Sequence, residues 1–490
     1  MRTDNSLLTR VIPLLLAACL LLASSNPCTA RTITVKADGT GDQETIQSGL
    51  DAATQGDTVL VMPGTYSGDG NRYLSFGCEG IALLSSAGAA STVIDCERAD
   101  MCFWLFGAPS NTTSVISGFT ITNGRADEGG AVYGMNASAR FVDCVFDDNL
   151  ASAGWGGAVR CWGGTPIFRN CVFSDNCAEG GDGIGGGAYF RSASPVLDGC
   201  TFTGNSAQYG GGALCLDGGT DEVVTGCLFD GNNAGHYAGA MRIYASSPTI
   251  SNCVFLSNTS PFAGAAELLA SSDPTFEDCL FASNSAYYDG GAIYCSQGSS
   301  PTISSTGFGY NTARSGGAIR VYSDCAPEIS WCTFASNSAS QSGGAIAVRD
   351  LSTAGLTSCT FWGNSAGADN GVIELMDNSH ATISKCIISF STCGKAVSCD
   401  ESGAEISDSD VYGNAGGDWV DCIAVYEGES GNICADPLFC GAETGDLRLH
   451  ADSPCAAEMS QWGILIGAWD VGCGSPVQTT SWGRIKAMYR

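Results

Sequence analysis

Positive charge is scarce in this chain. Twenty-one Lys and Arg stand against 50 Asp and Glu, giving a net charge of −29. Such a surface repels phosphate backbones and anionic lipid, so nucleic acid is not an expected partner. Histidine is scarcer still. His236, His380 and His450 are isolated singles, read as turn or surface residues rather than catalytic ones. No apolar stretch beyond the N-terminus is long enough for a transmembrane helix. The 26 cysteines lack zinc-finger spacing. What the chain does have is glycine, 66 residues of it, and those thiols. A cysteine-rich chain fits an oxidising compartment outside the cytoplasm.

The N-terminus agrees. Arg2 and Arg10 precede an apolar run at 11–23, and Cys28-Thr29-Ala30 offers small residues for cleavage. Residues 1–30 are read as a signal peptide, giving a secreted or cell-surface protein, bacterial outer-membrane association included. A rival reading takes Leu16-Ala17-Ala18-Cys19 as a lipoprotein box with a lipidated Cys19. Leu20, Leu21 and Leu22 extend the apolar run past that cysteine, which is the wrong context.

An internal repeat dominates the rest. A Phe followed three residues later by Asn recurs nine times, with Asn149, Asn176, Asn205, Asn232, Asn258, Asn284, Asn311, Asn337 and Asn364 mostly 26 or 27 apart. Two residues before these Phe stands a Cys column, 144, 171, 200, 227, 253, 279, 332 and 359, with one break near Gly307, and Cys386 continues it into a degraded copy of the phrase. Gly-Gly-Ala-apolar and Ser-Pro phrases keep the same period. Within a coil the apolar residues follow period two, so the repeat is β. Strands that return every 26–27 residues stack coil upon coil at about 4.8 Å. The fold expected is all-β, a right-handed parallel β-helix of about a dozen coils. The Asn ladder is read as turn residues with amides bonded along the rod. The Cys ladder is read as packed thiols, since stacked parallel Cβ vectors suit a disulfide poorly.

The ends differ, as ends of a repeat array do. Residues 45–53 form an amphipathic helix expected to cap the N-terminal end, with Ile46, Leu50 and Ala53 on one face. The domain plan is a signal at 1–30, the capped β-helix at 31–430, a Cys-containing closing segment at 431–475 and a tail at 476–490. Cys422, Cys434, Cys440, Cys455 and Cys473 are spaced irregularly and are expected to favour disulfides.

Three resemblances attach to quoted residues. The Gly39-Thr40-Gly41-Asp42, Thr45-Ile46-Gln47, Gly56-Asp57-Thr58-Val59 and Pro63-Gly64-Thr65-Tyr66 phrases resemble the opening of the pectin-lyase-like β-helix superfamily. The Gly-Gly-Ala-Ile and Phe-x-x-Asn phrases are similar to repeats of polymorphic outer-membrane proteins. Asp436-Pro437-Leu438-Phe439 and Asp452-Ser453-Pro454-Cys455 look like the C-terminal segment of bacterial secreted β-helix proteins. The first resemblance implies carbohydrate chemistry, but its catalytic motifs are missing. Asp147-Asp148 occupies a turn, and Gly235-His236-Tyr237 lacks the second Gly of a polygalacturonase Gly-His-Gly.

A working face is sought where columns break their structural rule. By alternation, two columns after each Gly-Gly-Ala point outward. The first reads Tyr133, Arg160, Phe190, Cys215, Arg242, Glu267, Tyr294, Arg320, Ala347 and Glu374. The second includes Trp162, Ser192, Asp217, Tyr244, Tyr322 and Arg349. Together they hold Arg160, Arg242, Arg320 and Arg349, half of the eight Arg between 129 and 376. Aromatic faces and Arg forks suit an extended, acidic polysaccharide. The expected binding residues are Arg160, Trp162, Arg242, Tyr244, Tyr294, Arg320, Tyr322 and Arg349. The bland alternative is that these side chains pair across coils. The leading functional reading is a non-enzymatic, adhesin-like protein that binds glycans or proteins, with no cofactor. The alternative is a polysaccharide lyase. In it Arg242 or Arg320 takes the proton, and Asp217 with Glu267 holds calcium.

Overall fold

In the computed structural model the described residues are 30–107, 114–460 and 463–473. The expected signal peptide, Cys19 and the 476–490 tail lie outside them.

A full coil visits four parallel sheets in turn, though the first coils and the last have no strand in the third. The coil beginning at Thr249 illustrates the path. Thr249–Ser251 lies in the first sheet, Val254–Leu256 in the second, Thr259–Phe262 in the third and Ala266–Leu269 in the fourth. The first sheet has 15 strands, the second 14, the third nine and the fourth 12. Every strand pairs with its equivalents one coil before and after, as Phe229↔Phe255↔Phe281 shows. The rod is therefore about fourteen coils long, two more than the motif count implies. The early coils lack the Phe-x-x-Asn phrase, so the phrase undercounts them.

Two sharp corners explain the composition. The residue before each ladder Asn is left-handed: Asp148 (φ 52°), Asp175 (φ 52°), Gly204 (φ 64°), Ser257 (φ 55°) and Ser336 (φ 56°). The residue before each ladder Cys is left-handed too, as at Asn170, Gly199, Asn252 and Asp278. Gly, Asn and Asp bear this conformation most easily. In the Gly-Gly-Ala corner the two glycines do different work. Gly156 is left-handed (φ 67°), whereas a Cβ on Gly157 would meet the Gly186 carbonyl oxygen at 2.0 Å. The first supplies a turn and the second supplies clearance to the next coil.

The ladders form as expected. Asn258 Nδ2 donates to Asn284 Oδ1 at 2.9 Å and to the Phe229 carbonyl at 2.9 Å, while Asn258 Oδ1 accepts from Asn232 N and Nδ2 at 3.0 Å each. The same pattern runs from Asn149 to Asn364. Beside it the phenylalanines from Phe146 to Phe361 stack face to face, with centroids 4.4–5.1 Å apart. All nine ladder cysteines are buried free thiols. Each donates to a carbonyl of the preceding coil, as Cys253 Sγ does to Val224 O at 3.5 Å. The break in the column is filled by Thr306, whose hydroxyl accepts from Cys279 N.

At the N-terminal end the helix Ile46–Ala52 begins at a capping box on Thr45 and Ser48, and buries Ile46 and Leu50. It contacts Thr32–Val35 and Thr58–Val61. At the other end a short helix, Asp421–Tyr426, and an antiparallel hairpin, Phe439–Gly441 with Asp446–Leu449, close the chain. This segment turns back over the outer face of the second sheet. Leu447 packs with Leu280, Ala282 and Ala335, and Trp469 Nε1 donates to Thr333 Oγ1 at 2.8 Å. Cys440–Cys473 and Cys399–Cys422 are disulfides. The expectation of disulfides across the irregular C-terminal cysteines needs correction at two of them. Cys434 is an exposed thiol, and Cys455 is a buried one whose Sγ lies 3.2 Å from Asp410 Oδ2.

Two predictions follow from the ladders. Asn258→Ala strands the Asn232 N–H, the Asn232 amide and the Phe229 carbonyl inside the rod. At ~1–3 kcal/mol for each unmet buried group, it should lower denaturant stability by about 3 kcal/mol or more. Exposed Asn233→Ala should change it by no more than about 0.5 kcal/mol; similar small shifts for both would mean the ladder is dispensable. Alkylation of the folded protein should label Cys434 and spare the nine ladder thiols. Rapid labelling of the ladder without unfolding would contradict the packing.

Candidate functional site at the corner of the third and fourth sheets

The third and fourth sheets meet at a re-entrant corner, and the predicted working face lies inside it. Third-sheet strands such as Leu150–Trp155, Thr259–Phe262 and Ser285–Asp289 shift register by a bulge before entering the glycine turn. The bulge swings an aromatic or acidic side chain over the outer face of the fourth sheet. The first outward column is thereby covered. Arg160, Arg242 and Arg320 are 4%, 8% and 4% exposed, and Glu267 is 2% exposed.

Each buried arginine has a carboxylate, and so does the half-buried Arg349. Arg160 pairs with Glu128, Arg242 Nε lies 2.9 Å from Glu267 Oε2, Arg320 Nε lies 3.9 Å from Asp289 Oδ1, and Arg349 lies 3.8 Å from Glu374. Aromatic rings finish the lining. The Arg160 guanidinium sits over Tyr133, Trp155 and Tyr189, and that of Arg242 over Tyr209 and Tyr237, 5.0 and 5.5 Å from their centroids. Tyr294 stands between, 6.3 Å from Phe262.

Several expectations are corrected here. Arg160, Arg242 and Arg320 do not face solvent, because the bulge roofs them and the carboxylates neutralise them. As proton-abstracting groups Arg242 and Arg320 have no open face toward a substrate, and Glu267 is equally enclosed. Asp217 and Glu267 do not share a calcium site. Asp217 pairs in register with Tyr244, whereas Glu267 pairs with Arg242, so they stand two coils apart in different columns. Asp217 Oδ2 instead accepts from Tyr189 Oη at 2.6 Å, with Arg191 3.8 Å away. The columns also contain Tyr189 and Arg191 where alternation from Ala188 suggested Phe190 and Ser192. Gly187, not Ala188, takes the Ala position of the Gly-Gly-Ala phrase, as its bond with Ala158 N shows. Phe190 therefore points into the core.

The second column fares better. Trp162, Tyr244 and Tyr322 are 44%, 43% and 38% exposed. The register runs Trp162↔Arg191↔Asp217↔Tyr244↔Leu269, and continues through Ser296 to Tyr322. An exposed ring thus recurs every third coil, roughly 14 Å along the rod. Between the rings stand Arg191, which covers one face of Trp162 with its guanidinium 5.5 Å from the ring, and Asp217. Arg349 is half-buried beside Tyr322 in the next coil.

The opposite wall was missed in the sequence. Tyr237, Phe262 and Tyr288 stack at 5.5 and 4.9 Å, with Tyr209 and His236 beside them and exposed Tyr287 packed edge-on to Tyr288. A signal existed. Trp155, Tyr209, Tyr237, Phe262 and Tyr288 all fall within two residues of the glycine corner, although the register itself runs Trp155, Ile184, Gly210, Tyr237, Phe262 and Asp289.

With this geometry in hand, the matches to known proteins can be placed. A model described as the right handed beta helix region matches residues 132–308 and 287–433, more than half of the chain. The chain belongs to the right-handed β-helix family. Among solved structures it is similar to a mannuronic acid specific polysaccharide family 6 lyase from human gut microbiota, at 12% identity over 84% of this chain and 92% of that one, TM-score 0.42. It is also similar to the catalytic unit of a GH87 α-1,3-glucanase from Streptomyces thermodiastaticus, at 15% identity over 85% and 71%, TM-score 0.38. A third is the alginate lyase AlyF-OU02 in complex with G6, at 10% identity over 88% and 93%, TM-score 0.37. No curated protein sequence matches the chain. The family match describes the coil and does not extend to the polymorphic outer-membrane proteins.

The enclosed charges make a pH prediction. Burial pushes the Glu267 carboxyl up from 4.5 to about 7, against the pull of Arg242. Its folded value exceeds its unfolded value, so folding takes up a proton. The associated stabilisation is full below about 4.5 and is lost as pH rises through about 7, at most ~3 kcal/mol. Melting temperature should fall across that window, and Glu267→Gln should flatten part of the fall. An identical slope in the variant would assign the effect elsewhere.

Proposed function

We propose that this protein is an exported, non-enzymatic carbohydrate-binding β-helix, and that an extended, neutral polysaccharide lies lengthwise along the corner of its third and fourth sheets. The observation that carries the reading is the straight column of exposed rings, Trp162, Tyr244 and Tyr322, repeated every third coil, with Arg191 and Asp217 between the first two and Leu269 and Ser296 between the last two. A one-dimensional polymer meets such a column repeatedly, and rings held on strands lose little freedom on binding. The neutral character follows from the charges. The arginines that would have recognised an acidic chain are already matched by carboxylates, and the molecule as a whole is strongly anionic. A lyase reading loses its proton acceptors for the same reason.

Affinity electrophoresis against neutral and acidic polysaccharides tests this. The protein should be retarded by a neutral glycan, with little salt dependence. Trp162→Ala with Tyr244→Ala should weaken binding about 30-fold, two ring contacts of ~1 kcal/mol each. Tyr310→Ala with Trp331→Ala, exposed rings on other corners, should leave it unchanged. Binding only to acidic chains, or release of unsaturated sugars from them, would overturn the reading.

A further inference from the structure

A second site lies on the other side of the rod. Where the C-terminal segment turns back, it forms an open-sided cavity of about 490 Å³ against the corner between the second and third sheets. Three aromatic rings line it, Trp362, Phe390 and Phe439, and two carboxylates, Asp436 and Glu443, stand at its wall. The hydroxyl side chains of Ser336 and Thr392 complete the polar lining.

The site is built rather than incidental. Phe390 occupies the left-handed position before the Asn column (φ 54°), where neighbouring coils place Ser336 and Gly363. A bulky ring is uncommon in that conformation, and here the corner turns it out of the core and into the cavity wall. Trp362 and Phe439 pack against the cluster of Leu280, Ala282, Ala335 and Leu447, and the disulfide Cys440–Cys473 ties down the hairpin that forms the roof.

The charges select the ligand. The neighbouring basic side chain Arg448 is committed to Asp446 at 2.7 Å, and Lys395 to Asp421 at 3.0 Å. Among the described residues, no ion pair engages Asp436 or Glu443; Asp436 accepts only the Leu438 N–H. Aromatic faces and uncompensated carboxylates around one cavity attract a cation by both ring quadrupole and charge. Both carboxylates are solvent-exposed, so a neutral sugar would leave them hydrated and gain nothing from their negative potential, whereas a cation would. We propose that this cavity binds a small organic ammonium ion, its charged head toward Asp436 and Glu443 and its apolar body on Trp362, Phe390 and Phe439. The inference is independent of the glycan column, which lies on a different corner.

Calorimetric titration of the intact protein with choline and with its uncharged isostere 3,3-dimethylbutan-1-ol reads the charge directly. Choline should bind at one site per chain, about tenfold or more tighter than the alcohol. Glu443→Gln, at an exposed position, should weaken choline severalfold and leave the alcohol unchanged. Trp362→Ala should weaken both. Equal binding of the two probes, no binding of choline, or choline binding indifferent to Glu443→Gln would overturn the proposal.

Discussion

The constraint on which the rest depends is the buried amide ladder at the corner between the second and third sheets. An Asn side chain has one acceptor and one donor group, and each here is used along the rod axis. The oxygen receives two N–H groups from the previous coil, while the nitrogen reaches the next Asn and the carbonyl of the previous coil's ladder Phe. This sets the phase of the coils from Asn149 to Asn364. A one-residue slip would leave buried amides unmet and turn the Phe stack outward, since the side-chain period of a strand is two. In the coil where Ser391 replaces Asn, the bond survives through its backbone N–H to Asn414 Oδ1.

With the coils in phase, every other position becomes a column, and a column has properties that a single residue lacks. The buried Arg–carboxylate pairs illustrate this. Burying such pairs gains little net stability, because desolvation offsets the attraction. Their value lies in closing the corner. Arg160–Glu128 and Arg320–Asp289 tie third-sheet strand ends to the fourth sheet, while Arg242–Glu267 joins two fourth-sheet strands beside Tyr209 and Tyr237. A rigid, charge-neutral corner then presents Trp162, Tyr244 and Tyr322 in line. The C-terminal segment uses a different corner, where it forms one wall of an open-sided cavity instead of extending a column.

Sequence alone determined the β-helix, its 26–27-residue period, the roles of the Asn, Phe and Cys columns, and the positions of the exposed rings Trp162, Tyr244 and Tyr322. These were legible because in-register stacking makes a neighbour in space a neighbour one period away in sequence, so a column can be read as a list. What only the tertiary structure decided lies outside that rule. Alternation states that Arg242 and Glu267 point away from the core, but says nothing of what covers them; the third-sheet bulge is a local departure from period two, and it turned an expected open face into an enclosed one. The extra glycine at 185–187 shifted one coil by a residue, which placed Tyr189 and Arg191 in the columns and Phe190 in the core. The pairing of Cys422 with Cys399, and the meeting of Phe390 with Phe439 around one cavity, depend on a segment that leaves the repeat and folds back across it, where sequence distance no longer measures distance in space.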